Sequence, residues 1–87
     1  MGLFNKIRLA YQRGRLIRQQ EAEENIVKEK YGDIMLEYGI LALSYDRRGD
    51  KEQYSNYANL FSINKDKKER ELREIQDKYK CLFAKLR

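Results

Sequence analysis

Residues 46–53, Asp46-Arg47-Arg48-Gly49-Asp50-Lys51-Glu52-Gln53, decide how the chain is read. A polar run ends on a glycine, and Asp50 and Gln53 then stand at the spacing of a helix N-cap and its reciprocal partner three residues on. A turn near 46–49 and a new helix opening at Asp50 are expected.

Upstream of the turn, Ile17, Gln20, Glu24, Val27, Tyr31, Ile34, Tyr38, Leu41 and Tyr45 fall at alternating steps of three and four. That is a heptad stripe along one face of a helix. Downstream, the same steps pick out Tyr54, Ala58, Phe61, Lys65, Lys68, Leu72, Ile75, Tyr79, Leu82 and Leu86. Two stripes joined by a short turn run antiparallel. Opposing Tyr45 to Tyr54 puts Tyr38 opposite Phe61, Val27 opposite Leu72 and Ile17 opposite Leu82, a register in which paired numbers add to 99. The expected fold is all-α: an antiparallel, coiled-coil-like helical hairpin over 15–87, completed by oligomerisation or a partner. Ahead of it, residues 1–13 are expected to form a short basic amphipathic helix.

Charge supports the hairpin independently. Residues 19–46 carry seven acids against two bases, a net of −5, and residues 47–87 carry twelve bases against seven acids, a net of +5. An acidic arm lying on a basic arm gains a modest, salt-screened attraction. In the proposed register Glu29 meets Arg70 and Glu21 meets Lys78, while Asp33 beside Asp66 is a mismatch.

The first dozen residues find no partner inside this hairpin. Leu3, Phe4, Ile7, Ala10 and Tyr11 share a face, and Lys6, Arg8, Arg13, Arg15 and Arg18 give residues 1–18 a net of +5 with no acid. Gly14 offers a hinge. Three readings follow: the segment bends there and packs back or onto another copy, it docks on an anionic membrane surface, or it contacts nucleic-acid phosphate or an acidic protein. The leading one is the bend. Lys6 stands where a myristoylation signal needs Ser or Thr.

The stretch Ile34-Met35-Leu36 through Gly39-Ile40-Leu41-Ala42-Leu43 is apolar almost all round. One partner helix covers only one side of it, so Leu36, Ile40 and Leu43 are expected to meet something else. Gly32 and Gly39, seven residues apart, suggest close approach of another helix to that face, and Gly39 joins the candidate contact set. Lys65 and Lys68 interrupt the second stripe opposite Ile34 and Tyr31, where their aliphatic stems are expected to snorkel past apolar neighbours. The tyrosines at 31, 38 and 45 read as an amphipathic seam with phenol tips reaching water.

Composition narrows the function. There is no histidine and one cysteine, Cys81, so imidazole acid–base chemistry, a zinc site and an intramolecular disulfide all lack their residues. Cys81 reads as a small apolar filler beside Leu82. No enzyme activity, cofactor or small-molecule substrate is expected, and a reducing, cytoplasmic setting fits the cysteine count. No run of about 18 apolar residues is present, so neither secretion nor a membrane span is expected. The function expected is protein–protein interaction, with nucleic-acid binding as the alternative and membrane-surface binding third.

Overall fold

The computed structural model describes residues 2–86, and over them the chain is two helices packed side by side, α1 (Gly2–Arg47) and α2 (Lys51–Ala84). Met1 and Arg87, the outer limits of the two expected segments, lie outside the described residues. The hairpin is a rod of 70 × 16 × 13 Å. Its long axis is the length of α1 itself, since 46 residues at about 1.5 Å per residue span roughly 69 Å.

The turn forms as its residues dictate. Gly49 adopts φ 76°, the left-handed conformation that ends a helix at low steric cost. Two backbone bonds close the helix end in a Schellman arrangement: Asp50 N–H donates to the Tyr45 carbonyl at 3.0 Å and Gly49 N–H to the Asp46 carbonyl at 3.1 Å. The Asp50 carboxylate then accepts from Gln53 N–H at 3.1 Å and caps α2. Only this half of the expected reciprocal pair forms, because the Asp50 amide is already engaged by Tyr45.

The ion pairs between the helices are not the expected ones. Lys30 meets Glu71 and Glu23 meets Lys78, pairs whose numbers add to 101. Glu21 therefore does not partner Lys78. At the turn end of α2, Tyr57 rather than Tyr54 enters the seam. Its ring stacks on Tyr45, centroids 5.6 Å apart and planes within 2°, and tilts against Tyr38 at 6.2 Å. Tyr54 is 41% exposed. Farther along, Asn64 takes the half-buried place expected of Lys65 and bonds back to the Leu60 carbonyl at 2.8 Å, while Lys68 does sit in the seam. At the far end Leu16 turns inward and Ile17 outward. Cys81 is exposed, so it fills no gap.

The seam is thin. Tyr31, Ala42 and Tyr79 are the buried hydrophobic residues, and between them the packing is half-buried side chains such as Val27, Ile34, Leu41, Phe61, Leu72 and Ile75. Two helices present only one mutual face each, so a pair of this length leaves most of its apolar surface at the margin.

The largest departure lies at Gly14. A hinge and a separate helix over 1–13 are expected, but α1 runs through Gly14 without a break. An internal glycine costs about 1 kcal/mol relative to alanine, and the helix formers around it, with no capping residue or proline, supply no competing structure. Gly32 is likewise interior, with nothing within 4 Å of an added Cβ. Gly32→Ala is therefore expected to stabilise the hairpin by about 1 kcal/mol in a denaturant titration, and Gly49→Ala to destabilise it by about 1–2 kcal/mol because φ stays positive there.

Candidate association surface

Midway along the rod, two matching clusters fasten the helices together. The dipeptide Lys-Tyr occurs at 30–31 and again at 78–79, once on each helix. Lys78 Nζ donates to Glu23 Oε1 at 2.8 Å, and Lys30 Nζ approaches Glu71 Oε1 at 3.5 Å. Each ammonium also lies over the ring of the tyrosine beside it, at 5.2 Å for Tyr79 and 4.9 Å for Tyr31. Between the clusters runs an open groove bordered by Ile26, Val27, Glu74 and Ile75.

These contacts move the titrations of four groups. The hydrogen bond from Lys78 holds the Glu23 carboxyl below its ordinary 4.5, against the opposing effect of desolvation, and the same bond raises Lys78. The charge of Glu71 raises Lys30, and burial raises the Tyr79 phenol. For Glu23 the lowered folded value means a contribution present above the unfolded value and lost as pH falls below it. For Lys30, Lys78 and Tyr79 the raised values mean contributions present below their unfolded values and lost as pH climbs past the folded ones. Thermal melts are thus expected to be flat from about pH 5 to 9 and to fall on both sides. Lys78→Met should flatten the acid limb, which checks the assignment to Glu23.

The outward side of α1 is different in kind. Leu36, Ile40 and Leu43 are 64%, 58% and 58% exposed and follow one another at steps of four and three, pointing away from α2. Two shallow hollows flank Ile40: one lined by Asp33, Leu36, Glu37 and Leu41, the other by Leu43, Ser44, Arg47 and Arg48. Gly39, expected on this surface, instead faces α2, where an added Cβ would meet the Phe61 ring at 3.6 Å. That is ordinary van der Waals separation, so the glycine marks no unusually close helix approach.

At the other end of α1, Leu3, Phe4, Ile7 and Tyr11 are exposed as well, Phe4 most of all at 84%. Because the helix is unbroken, the azimuths of the two apolar groups are linked. Phe4 and Ile40 are 36 residues apart, as are Ile7 and Leu43, which is about ten full turns at 3.6 residues per turn. Both groups therefore lie on one side of one helix, about 50 Å apart centre to centre. Sequence reasoning named the residues of both groups but placed them on separate helices. Lys6, Arg8, Arg13, Arg15 and Arg18 are exposed, and among the described residues none takes part in an ion pair.

Among the described residues no group of three or more His, Cys, Asp or Glu could hold a metal ion, and no helix is long and apolar enough to cross a membrane. No family model, curated protein or solved structure matches this chain.

Proposed function

We propose that the chain is a non-enzymatic protein–protein interaction module, a small adaptor, inhibitor or assembly protein working in the cytoplasm, whose contact surface is the outer side of α1. One observation carries this reading. The fold buries only a few side chains, yet Phe4, Ile7, Tyr11, Leu36, Ile40 and Leu43 stand more than half exposed on one side of a single straight helix. An aligned apolar surface of that kind is stabilised by being covered, either by another protein or by a second copy. The basic residues of the first eighteen border it and supply orientation and steering.

Light scattering across a concentration series tests the reading. A mass above 10.5 kDa, or a complex with a host protein, is expected, together with a melting temperature that rises as the covering species becomes more concentrated. A monomer with no protein partner and a concentration-independent melt would overturn it. The five exposed cations, unpaired among the described residues, support a second reading, phosphate contact with nucleic acid. Binding to generic RNA or DNA that weakens steeply with salt would favour that reading, and binding to anionic vesicles that depends on residues 1–13 would favour a membrane surface.

A further inference from the structure

The outer side of α1 is complementary to itself. Its stripe reads Phe4, Ile7, Tyr11, Gly14, Arg18 and Ala22 up to the midpoint, then Asn25, Glu29, Asp33, Leu36, Ile40 and Leu43 beyond it, again at steps of three and four. Reversed upon itself, the first half meets the second. Phe4 falls opposite Leu43, Ile7 opposite Ile40, Tyr11 opposite Leu36, Arg18 opposite Glu29, and Ala22 opposite Asn25, each pair adding to 47. The apolar ends meet apolar ends and the charged middle meets its opposite.

We propose that the occupant of this surface is a second copy of the chain, bound antiparallel about a two-fold axis that passes between residues 23 and 24 of the two α1 helices. This rests on the interaction reading above and names the partner it leaves open. A two-fold interface requires one surface patch to fit itself, and five of the six facing pairs meet that requirement, the sixth setting Gly14 opposite Asp33. A patch built for an unrelated protein is under no such constraint.

The flanking charges obey the same reversal. Arg15 falls beside Asp33 of the second copy, Arg8 beside Glu37 and Glu21 beside Lys28, all within two residues of the same register. Symmetry makes every one of these pairs occur twice. A parallel arrangement in register would instead set Arg15 on Arg15, Arg18 on Arg18 and Glu29 on Glu29, which is repulsive throughout its middle. The segment asymmetry seen in composition, a basic first eighteen residues followed by an acidic stretch on the same helix, thereby acquires a second use besides attraction to α2.

Geometry agrees. The apolar stripe residues lie away from α2, and the flanking Arg8 and Arg15 stand at its edge, bordering hollows shared with Lys85 and Leu86, so each copy keeps its own hairpin and the α2 helices stand on the outside of a four-helix assembly. The hollow lined by Asp33, Leu36, Glu37 and Ile40 receives Tyr11 of the second copy, and the one lined by Ile40, Leu43, Ser44 and Arg47 receives its Phe4. Beside the axis, Ala22 is small enough for close helix approach.

Charge exchange tests both partner and register. Arg15→Glu with Arg18→Glu makes one variant, and Glu29→Arg with Asp33→Arg makes the other. In an antiparallel two-fold dimer each variant opposes like charges to itself, whereas an equimolar mixture pairs every altered charge with its opposite. Sedimentation velocity is expected to show each variant dissociating about tenfold or more readily than wild type at low salt, and the mixture returning to wild-type affinity as a heterodimer. All four positions are exposed, and circular dichroism verifies that the hairpins stay folded. As a second measure, in a Cys81→Ser background, Ala22→Cys chains mixed with Asn25→Cys chains should oxidise mainly to the mixed dimer. A wild-type chain that stays monomeric overturns self-association while leaving open a different protein partner. A wild-type dimer whose stability ignores the charge exchange, or in which like cysteines join, overturns this register and spares the interaction reading.

Discussion

Tyr31→Ala is expected to lower the melting temperature by roughly 12–24 °C. Tyr31 is 6% exposed, one of three buried hydrophobic residues, and it lies near the centre of the seam. Truncating a buried aromatic removes its area from burial and leaves a void that straight, well-hydrogen-bonded helices cannot close, a combined cost of about 3–5 kcal/mol. The remaining seam offers little reserve, because its other members are half-buried and the domain is small. A cost of about 3 kcal/mol converts to the stated shift at about 4–8 °C per kcal/mol for a domain of this size. Tyr31→Phe keeps the ring and should melt within about 4–8 °C of wild type. Far-UV circular dichroism checks both. An alanine variant that melts like wild type would mean that the two helices are held by something other than this seam.

The second large effect is on association and leaves the fold alone. Leu36→Asp combined with Ile40→Asp is expected to weaken binding to whatever covers α1 on the order of 100-fold, with the far-UV spectrum of the hairpin unchanged. Both side chains are more than half exposed in the single hairpin, so their replacement costs that hairpin only about 1 kcal/mol, chiefly through the lower helix propensity of Asp. In a complex they are buried, and losing the burial of a Leu or Ile costs about 1.5–3 kcal/mol each. Two such losses at the lower end of that range give the stated factor at 1.4 kcal/mol per tenfold. The added carboxylates also stand near Asp33 and Glu37, which further disfavours an acidic neighbour. Light scattering and the concentration dependence of melting separate the two effects. If the double variant associates as wild type does, the outer side of α1 is not the contact surface.

The two substitutions act on opposite sides of one helix, and that division explains how the molecule is built. Facing α2, α1 carries tyrosines and half-buried aliphatics closed off by two Lys–Glu contacts. Facing away, it carries aliphatic and aromatic side chains that its own chain never covers. A hairpin alone has no third element with which to reach them.

The amino-acid order alone determined that the chain doubles back at Gly49, that Asp50 opens the second helix, and that Val27, Tyr31, Ile34, Tyr38, Leu41, Phe61, Leu72, Ile75, Tyr79 and Leu82 form the seam. These are local matters: a left-handed residue, a cap spaced three from its target, and a period of 3.5 against 3.6 all express themselves within a few turns. It also picked out Leu36, Ile40 and Leu43 as uncovered, since one helix face accommodates one neighbour. Two things were decided only when the helices met. Tyr57 and Tyr54 both lie within reach of the stripe, and the choice between them was made by the stack on Tyr45, a contact between residues that periodicity does not relate. Gly39 came to lie against Phe61 because that ring reaches across beside its seam partner Tyr38. Continuity through Gly14 is a local outcome, helix formers with no cap or proline outweighing a glycine cost of about 1 kcal/mol, and it aligned two distant apolar groups on one side of one rod.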